Sequence, residues 1–155
     1  MSAQSLRKLF EVNRYALSVN VEGITHEESL IQPPRGGNCL NWVVGHIVAN
    51  RNHVLQLLGE PPIWPEPDYE TYRRGSAPIL DGARARRLEK LIEDFHRSQE
   101  RIGAALDRAS DAKLAESKEG ETVGERLAFL HFHEAYHVGQ TALLRRMAGK
   151  EGAIR

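Results

Sequence analysis

The chain has 155 residues, of which 41% are hydrophobic, and its 21 Lys and Arg balance its 21 Asp and Glu. This length and apolar content fit one globular domain, 1–155, and exclude intrinsic disorder as the main state. The balanced charge excludes a strong overall field, so we expect neither nucleic acid nor a membrane as a partner. Cys39 is the single cysteine, which excludes an intramolecular disulfide and multi-cysteine metal sites. Because charges break the apolar runs near the N-terminus, we expect no signal peptide and a cytoplasmic protein.

The first part of the chain alternates helical patterns with clear breaks. Apolar residues at three- and four-residue spacing predict a first long helix over about 5–20. Thr25 and Glu28 form a capping box, which predicts a short helical turn. After a break rich in proline and glycine, Asn38 is the expected N-cap of a second long helix that ends near Gly59.

A long segment, 60–80, follows the second helix and contains five prolines and three aromatic residues. Loops of this length inside a compact domain are usually functional or disordered, and the aromatic residues argue against disorder. We therefore expect the segment to form the lid of a substrate pocket, or else to pack its aromatic side chains onto the helices. The candidate pocket contacts are Trp64, Tyr69, Tyr72 and Arg73.

The second half of the chain predicts two more long helices. Asp81 is the expected cap of a third helix, whose apolar positions continue to Leu106. Thr122 and Glu125 form a second capping box, which opens a fourth helix up to about Ala148. Four long amphipathic helices predict an all-α fold, a four-helix bundle. The long loop between the second and third helices predicts a crossover, which lets these two helices run in the same direction.

Histidines lie on the apolar faces of the second and fourth helices. His133 and His137 interrupt the apolar stripe of the fourth helix and lie one turn apart on one face, a spacing at which both imidazoles can bind one cation. His46 lies on the apolar face of the second helix, so packing of the two helices would complete three nitrogen ligands. Three ligands with open positions are typical of a catalytic metal site. The simpler alternative is a set of satisfied core or groove histidines.

The other four histidines are expected to be ordinary residues. His26 and His96 have charged neighbours and are predicted to be solvated. His131 is two residues from His133 and must point elsewhere, and His53 is predicted to lie in a groove. Only three of the seven histidines therefore enter the predicted site.

Four residues next to the predicted ligands are candidates for supporting roles. Gly45 and Gly139 are small and would let a helix or a bound molecule approach closely. Plain packing at a helix crossing is the alternative for both glycines. Gln140 and Asn50 are candidates to orient a ligand or a bound water through their amides.

The run HEAYH, 133–137, also matches the H-E-x-x-H pattern, in which the glutamate, here Glu134, activates water in metalloproteases. The longer form of that pattern needs glycine at 140 and histidine at 143, where this chain has Gln140 and Leu143. No strand is predicted before the helix. The protease interpretation is therefore the weaker one.

Two longer segments carry a family resemblance. NCLNWVVGHIVANR, 38–51, and HEAYHVGQ, 133–140, together resemble the DinB-like family of metal-binding four-helix bundles. In that family a histidine of the second helix and an H-x-x-x-H-x-G-Q run on the fourth helix provide the metal ligands. The resemblance covers nearly the whole chain and implies a metal triad of His46, His133 and His137.

The resemblance also implies a metal-dependent enzyme. Family members with assigned activities are similar to S-transferases or isomerases that use a low-molecular-weight thiol on small electrophiles, and many others are described as metal-dependent hydrolases. We therefore expect Zn²⁺, Ni²⁺ or Fe²⁺ as the metal, a thiol or water as the nucleophile, and a small molecule as the substrate. The alternative is a non-catalytic, stress-related bundle that binds metal for stability or sensing. A homodimer formed through exposed helix faces is a further expectation.

Overall fold

The computed structural model describes residues 1–65, 69–80, 82–118 and 120–154, and helices dominate it. The four long helices are α1 (Ala3–Val21), α3 (Leu40–Leu57), α4 (Leu88–Arg108) and α6 (Val123–Met147). The short helices are α2 (His26–Ser29), α5 (Asp111–Ala115) and a 3-10 turn over Glu70–Tyr72. The two-residue strands β1 (Ser117–Lys118) and β2 (Glu121–Thr122) pair as an antiparallel hairpin. The predicted all-α fold is confirmed.

Both predicted capping boxes are present. The Thr25 hydroxyl accepts the N–H of Glu28 at 3.1 Å, and the Glu28 carboxylate accepts the N–H of Thr25 at 2.8 Å. Thr122 and Glu125 make the same reciprocal pair at the start of α6. Each pair satisfies two N–H groups that the start of a helix would otherwise leave without a partner.

Two predicted helix starts differ from the structure. The residue that caps α3 is Cys39 rather than Asn38, and its side chain makes no capping hydrogen bond. The predicted cap Asp81 lies outside the described residues, and α4 begins only at Leu88. Both differences concern the ends of the helices, so the number and order of the long helices are as predicted.

Tertiary contacts explain the late start of α4. Just before this helix, the N–H of Arg86 donates to the Tyr72 hydroxyl at 2.7 Å. The Arg86 carbonyl accepts from the amide of Asn41 at 2.9 Å. These two bonds use backbone groups that a helix beginning near residue 82 would need for its own ladder. The chain therefore stays non-helical up to Arg87.

The long helices pack as a ring, in which α1 and α3 each contact both α4 and α6. The amide of Asn13 donates to the His131 carbonyl at 3.3 Å, and the amide of Asn20 donates to the Thr141 hydroxyl at 3.0 Å. Residue numbers rise together along these two contacts. Helices α1 and α6 therefore run parallel, although more than a hundred residues separate the contacting positions in sequence.

Helices α3 and α4 also run parallel, as the predicted crossover requires. Near their starts, Asn41 of α3 lies beside Arg86. Further along, a guanidinium N–H of Arg51 donates to the Ser98 hydroxyl of α4 at 3.0 Å. The connection 58–87 passes from the end of one helix back to the start of the other, which a short turn cannot do.

This connection packs two of its aromatic side chains into the bundle. Trp64 and Tyr72 are only 3% and 1% exposed. The indole N–H of Trp64 donates to the Asp94 carboxylate at 2.8 Å, and the Asn52 amide donates to the Trp64 carbonyl at 2.8 Å. The lid prediction is therefore wrong for Trp64 and Tyr72, because burying their large apolar rings in the core favours that position over an exposed one.

Side chains from all four long helices and from the connection fill the core. Fully buried examples are Leu6, Phe10, Ile47, Leu55, Tyr72, Leu91, Phe95, Ile102 and Leu127. Burial of such side chains is the main favourable contribution to the folding free energy. Within the described ranges, none of the helices is both long enough and apolar enough to cross a lipid bilayer.

Candidate metal centre

Antiparallel packing of α3 and α6 brings three histidines together. Arg51 pairs with Glu134, whereas the earlier His46 of α3 lies against the later His137 of α6. One ring nitrogen from each of His46, His133 and His137 lies within 4.8 Å of the other two. The three residues predicted as metal ligands are therefore neighbours in the fold, and metal binding itself stays a prediction.

The two histidines of α6 are already spaced for a shared cation. Their Nε2 atoms lie 3.2 Å apart, and the ring centroids of His133 and His137 are 4.6 Å apart. Two nitrogens bound to one ion at ~2.0–2.1 Å, at tetrahedral or octahedral angles, are ~2.9–3.4 Å from each other. This spacing follows from the four-residue separation on one helical face.

The ring of His46 is held in one orientation. Its Nδ1 lies 2.7 Å from the Tyr72 carbonyl. Because a carbonyl only accepts, Nδ1 carries the proton and Nε2 carries the lone pair. The indole of Trp42 stacks on the imidazole with centroids 4.6 Å apart and planes 12° apart. In His46, Nε2 with its lone pair is therefore the nitrogen that could bind a metal.

Tyr72 is fixed in turn by α3. Its hydroxyl donates to the Asn41 amide oxygen at 3.1 Å, and its ring lies directly over Gly45. A Cβ atom at Gly45 would overlap this ring, so a close approach does occur at Gly45, but its partner is the connection and not the predicted helix or bound molecule. At Gly139, no atom outside its own stretch of α6 lies within 4 Å of the position of a Cβ, so no other helix approaches there, and approach of a bound molecule stays a prediction.

Two amide side chains contact the histidines. The Nδ1 of His137 lies 2.8 Å from Oε1 of Gln140, an acceptor, so His137 also keeps its proton on Nδ1 and its lone pair on Nε2. The amide of Asn50 donates to Nε2 of His46 at 3.0 Å. Gln140 therefore orients His137, whereas Asn50 contacts the nitrogen of His46 that carries the lone pair and would have to give way to a bound cation.

All three imidazoles are expected to be neutral at neutral pH. The pKa of His46 is lowered to about 4, mainly by burial and further by His137 and His133, against an opposing hydrogen bond to Tyr72. Burial and the neighbouring His137 lower the pKa of His133, the Glu134 carboxylate opposes this shift, and the Arg74 guanidinium adds a smaller lowering effect. Burial also lowers the pKa of His137. Neutral imidazole is the form that binds metals, so the donor set fits a divalent cation.

The three histidines line a cleft of about 720 Å³. Its walls come from α3, α6, the break before α3 and the turn that follows the 3-10 helix. Other lining residues include Asn38, Trp42, Arg74, Ser76, Tyr136, Gln140 and Met147. His133 and His137 are half-buried, so a small molecule can reach them from solvent. Among the described residues, no fourth His, Cys, Asp or Glu joins the three-histidine group.

Comparison with known families agrees with this geometry. A model of the DinB superfamily matches residues 9–141, which include all three histidines. The chain belongs to the DinB superfamily. The resemblance expected from 38–51 and 133–140 is therefore confirmed. A search of curated proteins found no match.

In this DinB superfamily protein, Glu134 has a structural partner. Its two carboxylate oxygens accept from two guanidinium N–H groups of Arg51, each at 2.8 Å. The side chains of Arg51 and Glu134 are 0% and 4% exposed. A carboxylate paired in this way and buried away from the cleft is not available to activate water. The H-E-x-x-H interpretation is therefore wrong for this chain.

The remaining histidines lie outside the cluster. The prediction that His26 is solvated is wrong, because its side chain is 8% exposed and its Nδ1 accepts a backbone N–H at the start of α4 at 3.2 Å. His96 is half-buried, not fully solvated. His131 packs edge-on against Phe10, with ring centroids 5.6 Å apart, and so points away from the cluster as predicted. His53 is exposed.

Two residues of the cleft were missed at the sequence level. Arg74 and Ser76 line the cleft, and the sequence did not point to them. The predicted contacts Tyr69 and Arg73 line a smaller cavity of about 250 Å³ next to His46, together with Arg74. The Nε of Arg73 pairs with the Glu70 carboxylate at 3.0 Å. Neighbouring arginines in an irregular segment have no periodicity that would show which of them faces the site, so no sequence signal could have separated them.

Proposed function

We propose that this protein is a metal-dependent enzyme that transfers a low-molecular-weight thiol to a small electrophile. Hydrolysis of a small substrate, with water in place of the thiol, is the second form of the proposal. His46, His133 and His137 would hold the cation. Zn²⁺, Ni²⁺ and Fe²⁺ all accept imidazole ligands, so the donor set is compatible with each of them.

The observation that carries this proposal is the position of the three imidazoles in the wall of an open cleft. Structural metal sites are usually closed by four protein ligands, whereas catalytic sites keep a position free for water or substrate. Here the described residues place three imidazoles beside a cleft of about 720 Å³, which has room for a small molecule. This arrangement favours an enzyme over a purely structural metal site.

When bound, a divalent cation supplies a positive charge that lowers the pKa of a thiol or water beside it. The thiol proton then passes to solvent. The sulfur lone pair forms a bond to the electrophilic carbon, and the bond from that carbon to the leaving group breaks with its electron pair going to the leaving group. The Tyr72 carbonyl and Gln140 keep the rings of His46 and His137 in the orientation that this step needs.

The chain itself offers no thiol to the cleft. Cys39 is its only cysteine, and the Cys39 side chain is 0% exposed. A buried thiol in apolar surroundings is a poor nucleophile. If sulfur attacks the electrophile, the sulfur must therefore come from a diffusible small molecule.

The metal site is tested by the variant His137→Ala. Removing one of three ligands should abolish stoichiometric binding of the divalent metal, measured by elemental analysis after reconstitution and desalting. The matched control is His53→Ala, which removes an exposed imidazole of α3 that lies outside the cluster. The control should bind metal like the unmodified protein. Unchanged stoichiometric metal in His137→Ala would refute the triad.

The reaction is tested by a screen of nucleophiles. The protein reconstituted with each metal is mixed with a reactive electrophile and with glutathione, bacillithiol, mycothiol or water alone, and product is measured by mass spectrometry. We expect turnover with one thiol that disappears in the metal-free protein and in His137→Ala. Absence of metal-dependent turnover with all four nucleophiles contradicts the enzyme proposal and favours the non-catalytic metal-binding alternative.

A further inference from the structure

We infer that Arg74 is the substrate-binding residue of the cleft and that the molecule it recognises carries a carboxylate. The inference rests on the proposed function, because it concerns the ligand of the same cleft. A guanidinium presents parallel N–H groups that match the two oxygens of a carboxylate. Arg74 thereby selects the class of small molecule that enters.

The lining of the cleft carries a positive charge at Arg74. Among the residues that line it, all of which are described, Arg74 is the only Lys, Arg, Asp or Glu. The other polar side chains of the lining are neutral amides, hydroxyls and imidazoles. No acidic side chain of the lining cancels the guanidinium. The cleft is therefore complementary to an anion, and a divalent cation on the histidines would strengthen this preference.

The backbone on both sides of Arg74 is held by hydrogen bonds. On one side, Tyr72 is buried and its carbonyl accepts from His46 at 2.7 Å. On the other, the Ser76 hydroxyl accepts from the Trp42 indole at 2.9 Å and donates to the Thr71 carbonyl at 2.8 Å. A rigid turn presents a side chain with less loss of entropy on binding than a loose loop does.

The turn itself has a defined shape. The N–H of Ser76 donates to the Arg73 carbonyl at 3.1 Å, which closes a four-residue turn. Gly75 adopts a φ of +81°, a value that other residues rarely take. Arg74 occupies the position just before this glycine, so the geometry of the turn sets where its side chain leaves the backbone.

Of the two adjacent arginines Arg73 and Arg74, only Arg73 pairs with a carboxylate of the described residues. Arg73 pairs with Glu70 at 3.0 Å. Arg74 is exposed and forms no ion pair with the carboxylates of the described residues. Glu134 of α6 does not line the cleft and is paired with Arg51. A guanidinium kept free of protein carboxylates at the rim of a cleft is available for an anionic ligand.

Two molecules could bring this carboxylate, the thiol or the electrophile. The thiol is tested with protein loaded with Co²⁺, whose absorption reports thiolate binding. We compare 3-mercaptopropionate with 2-mercaptoethanol, which lacks the carboxylate. In the second arm, succinate represents the electrophile, and the uncharged succinamide is its control. Each is titrated by calorimetry into Co²⁺-loaded protein that is saturated with 2-mercaptoethanol. Preference for the carboxylate in the first arm assigns it to the thiol, and preference in the second arm assigns it to the electrophile.

In at least one arm we expect the unmodified protein to bind the carboxylate about 10-fold or more tightly than its uncharged partner. Arg74→Ala should remove the preference, and Arg74→Lys should retain part of it, because lysine keeps the charge but loses the paired N–H groups. The matched control Arg73→Ala should keep the full preference, since Arg73 is paired with Glu70.

The outcomes distinguish failure of the inference about Arg74 from failure of the proposed function. Co²⁺ binding and thiolate absorption without any carboxylate preference, or with a preference unchanged in Arg74→Ala, overturn the role of Arg74 and leave the proposed function standing. Failure of Co²⁺ to bind to the unmodified protein overturns the proposed function and this inference with it. Circular dichroism of Arg74→Ala and Arg73→Ala checks that both variants are folded.

Discussion

A histidine is a useful metal ligand only if its one proton lies on the nitrogen that faces away from the metal. The Tyr72 carbonyl and the Gln140 amide oxygen determine this for His46 and His137. Both contacts leave Nε2 with its lone pair. Removing partners of this kind typically lowers metal affinity by ~10–100-fold. Variants of the residues that orient the histidines therefore test the site, as variants of the histidines themselves do.

The variant Gly45→Ala tests the contact between the connection and His46. The added methyl would overlap the ring of Tyr72, which must shift and take its carbonyl away from Nδ1 of His46. We expect a loss of ~1–3 kcal/mol in the free energy of unfolding from overpacking. Metal affinity should fall by ~10-fold or more. Chemical denaturation and metal titration measure the two effects.

The control for this prediction is Gly139→Ala on α6. It adds the same methyl next to another ligand, at a position where nothing lies within 4 Å of the new Cβ. Helix propensity alone should make Gly139→Ala more stable by up to ~1 kcal/mol, with unchanged metal affinity. Equal behaviour of the two variants would show that the Tyr72 contact has no role in holding His46.

Among the helices, the crossing of α3, α4 and α6 depends on one buried cation. Besides its ion pair with Glu134, Arg51 donates to the Phe95 carbonyl at 3.1 Å and to Gln99 at 3.0 Å, and its guanidinium lies 3.9 Å from the centre of the Phe95 ring. All these groups come from α4 or α6. The ion pair of Arg51 and Glu134 therefore connects three helices close to the histidine group.

The variant Glu134→Gln tests whether this carboxylate has a structural or a catalytic role. It leaves the Arg51 charge buried without a counter-charge, which should lower the free energy of unfolding by ~3–5 kcal/mol. Metal stoichiometry should be unchanged, because Glu134 is not part of the histidine group. Thermal unfolding and elemental analysis measure the two quantities.

Glu121→Gln is the matched control for this variant. It breaks an ion pair with Arg126 at 3.2 Å, in which both side chains are more than half exposed. Exposed pairs of this kind contribute ~0–1 kcal/mol, so a small effect is expected. A Glu134→Gln protein of full stability, or one that loses its metal while remaining folded, would contradict the structural role.

At the scale of the whole molecule, the parallel order of α3 and α4 requires a long connection, and this connection forms the part of the site that the helices do not. The connection 58–87 must cross the bundle, and on its way it places the Tyr72 carbonyl on His46 and the following turn at the cleft. A bundle with short connections between all neighbours would lack this segment. The part of the cleft that this segment lines is thus a consequence of the topology.

The stability of the metal-free protein should depend on pH through the same histidines. The pKa of His46 is lowered from 6.5 to about 4, so the unfolded chain takes up this proton at a higher pH than the folded chain does. Stability is therefore full above pH 6.5 and falls between pH 6.5 and about 4. His46 alone contributes a loss on the order of 3 kcal/mol, and His133 and His137 act in the same direction.

Denaturation of the metal-free protein at several values between pH 7 and pH 4.5 measures this loss. The comparison is His46→Leu, which removes the group with the largest effect and should reduce the slope of stability against pH. A flat profile for the unmodified protein, or an equal slope in His46→Leu, would show that burial of His46 does not resist protonation.

Local patterns in the sequence predicted the four long helices correctly, and they singled out the three histidines that the fold brings together. Helical periodicity and the capping boxes at Thr25 and Thr122 depend only on nearby residues, so they could be read before any tertiary contact was known. The spacing of His133 and His137 is likewise a property of one helix. The late start of α4 could not be predicted, because backbone bonds to Tyr72 and Asn41 prevent the helix there.

By itself the sequence determined the four long helices, the crossover between α3 and α4, and the helical faces that carry the three histidines. Periodicity, caps and loop length are local properties, so they can be read from the sequence. Only the tertiary structure decided which side chains support them. It placed Tyr72 on Gly45 and His46, paired Glu134 with Arg51, and brought Arg74 to the cleft. The physical reason is that these contacts join distant segments, and their partners are set by packing of the whole bundle.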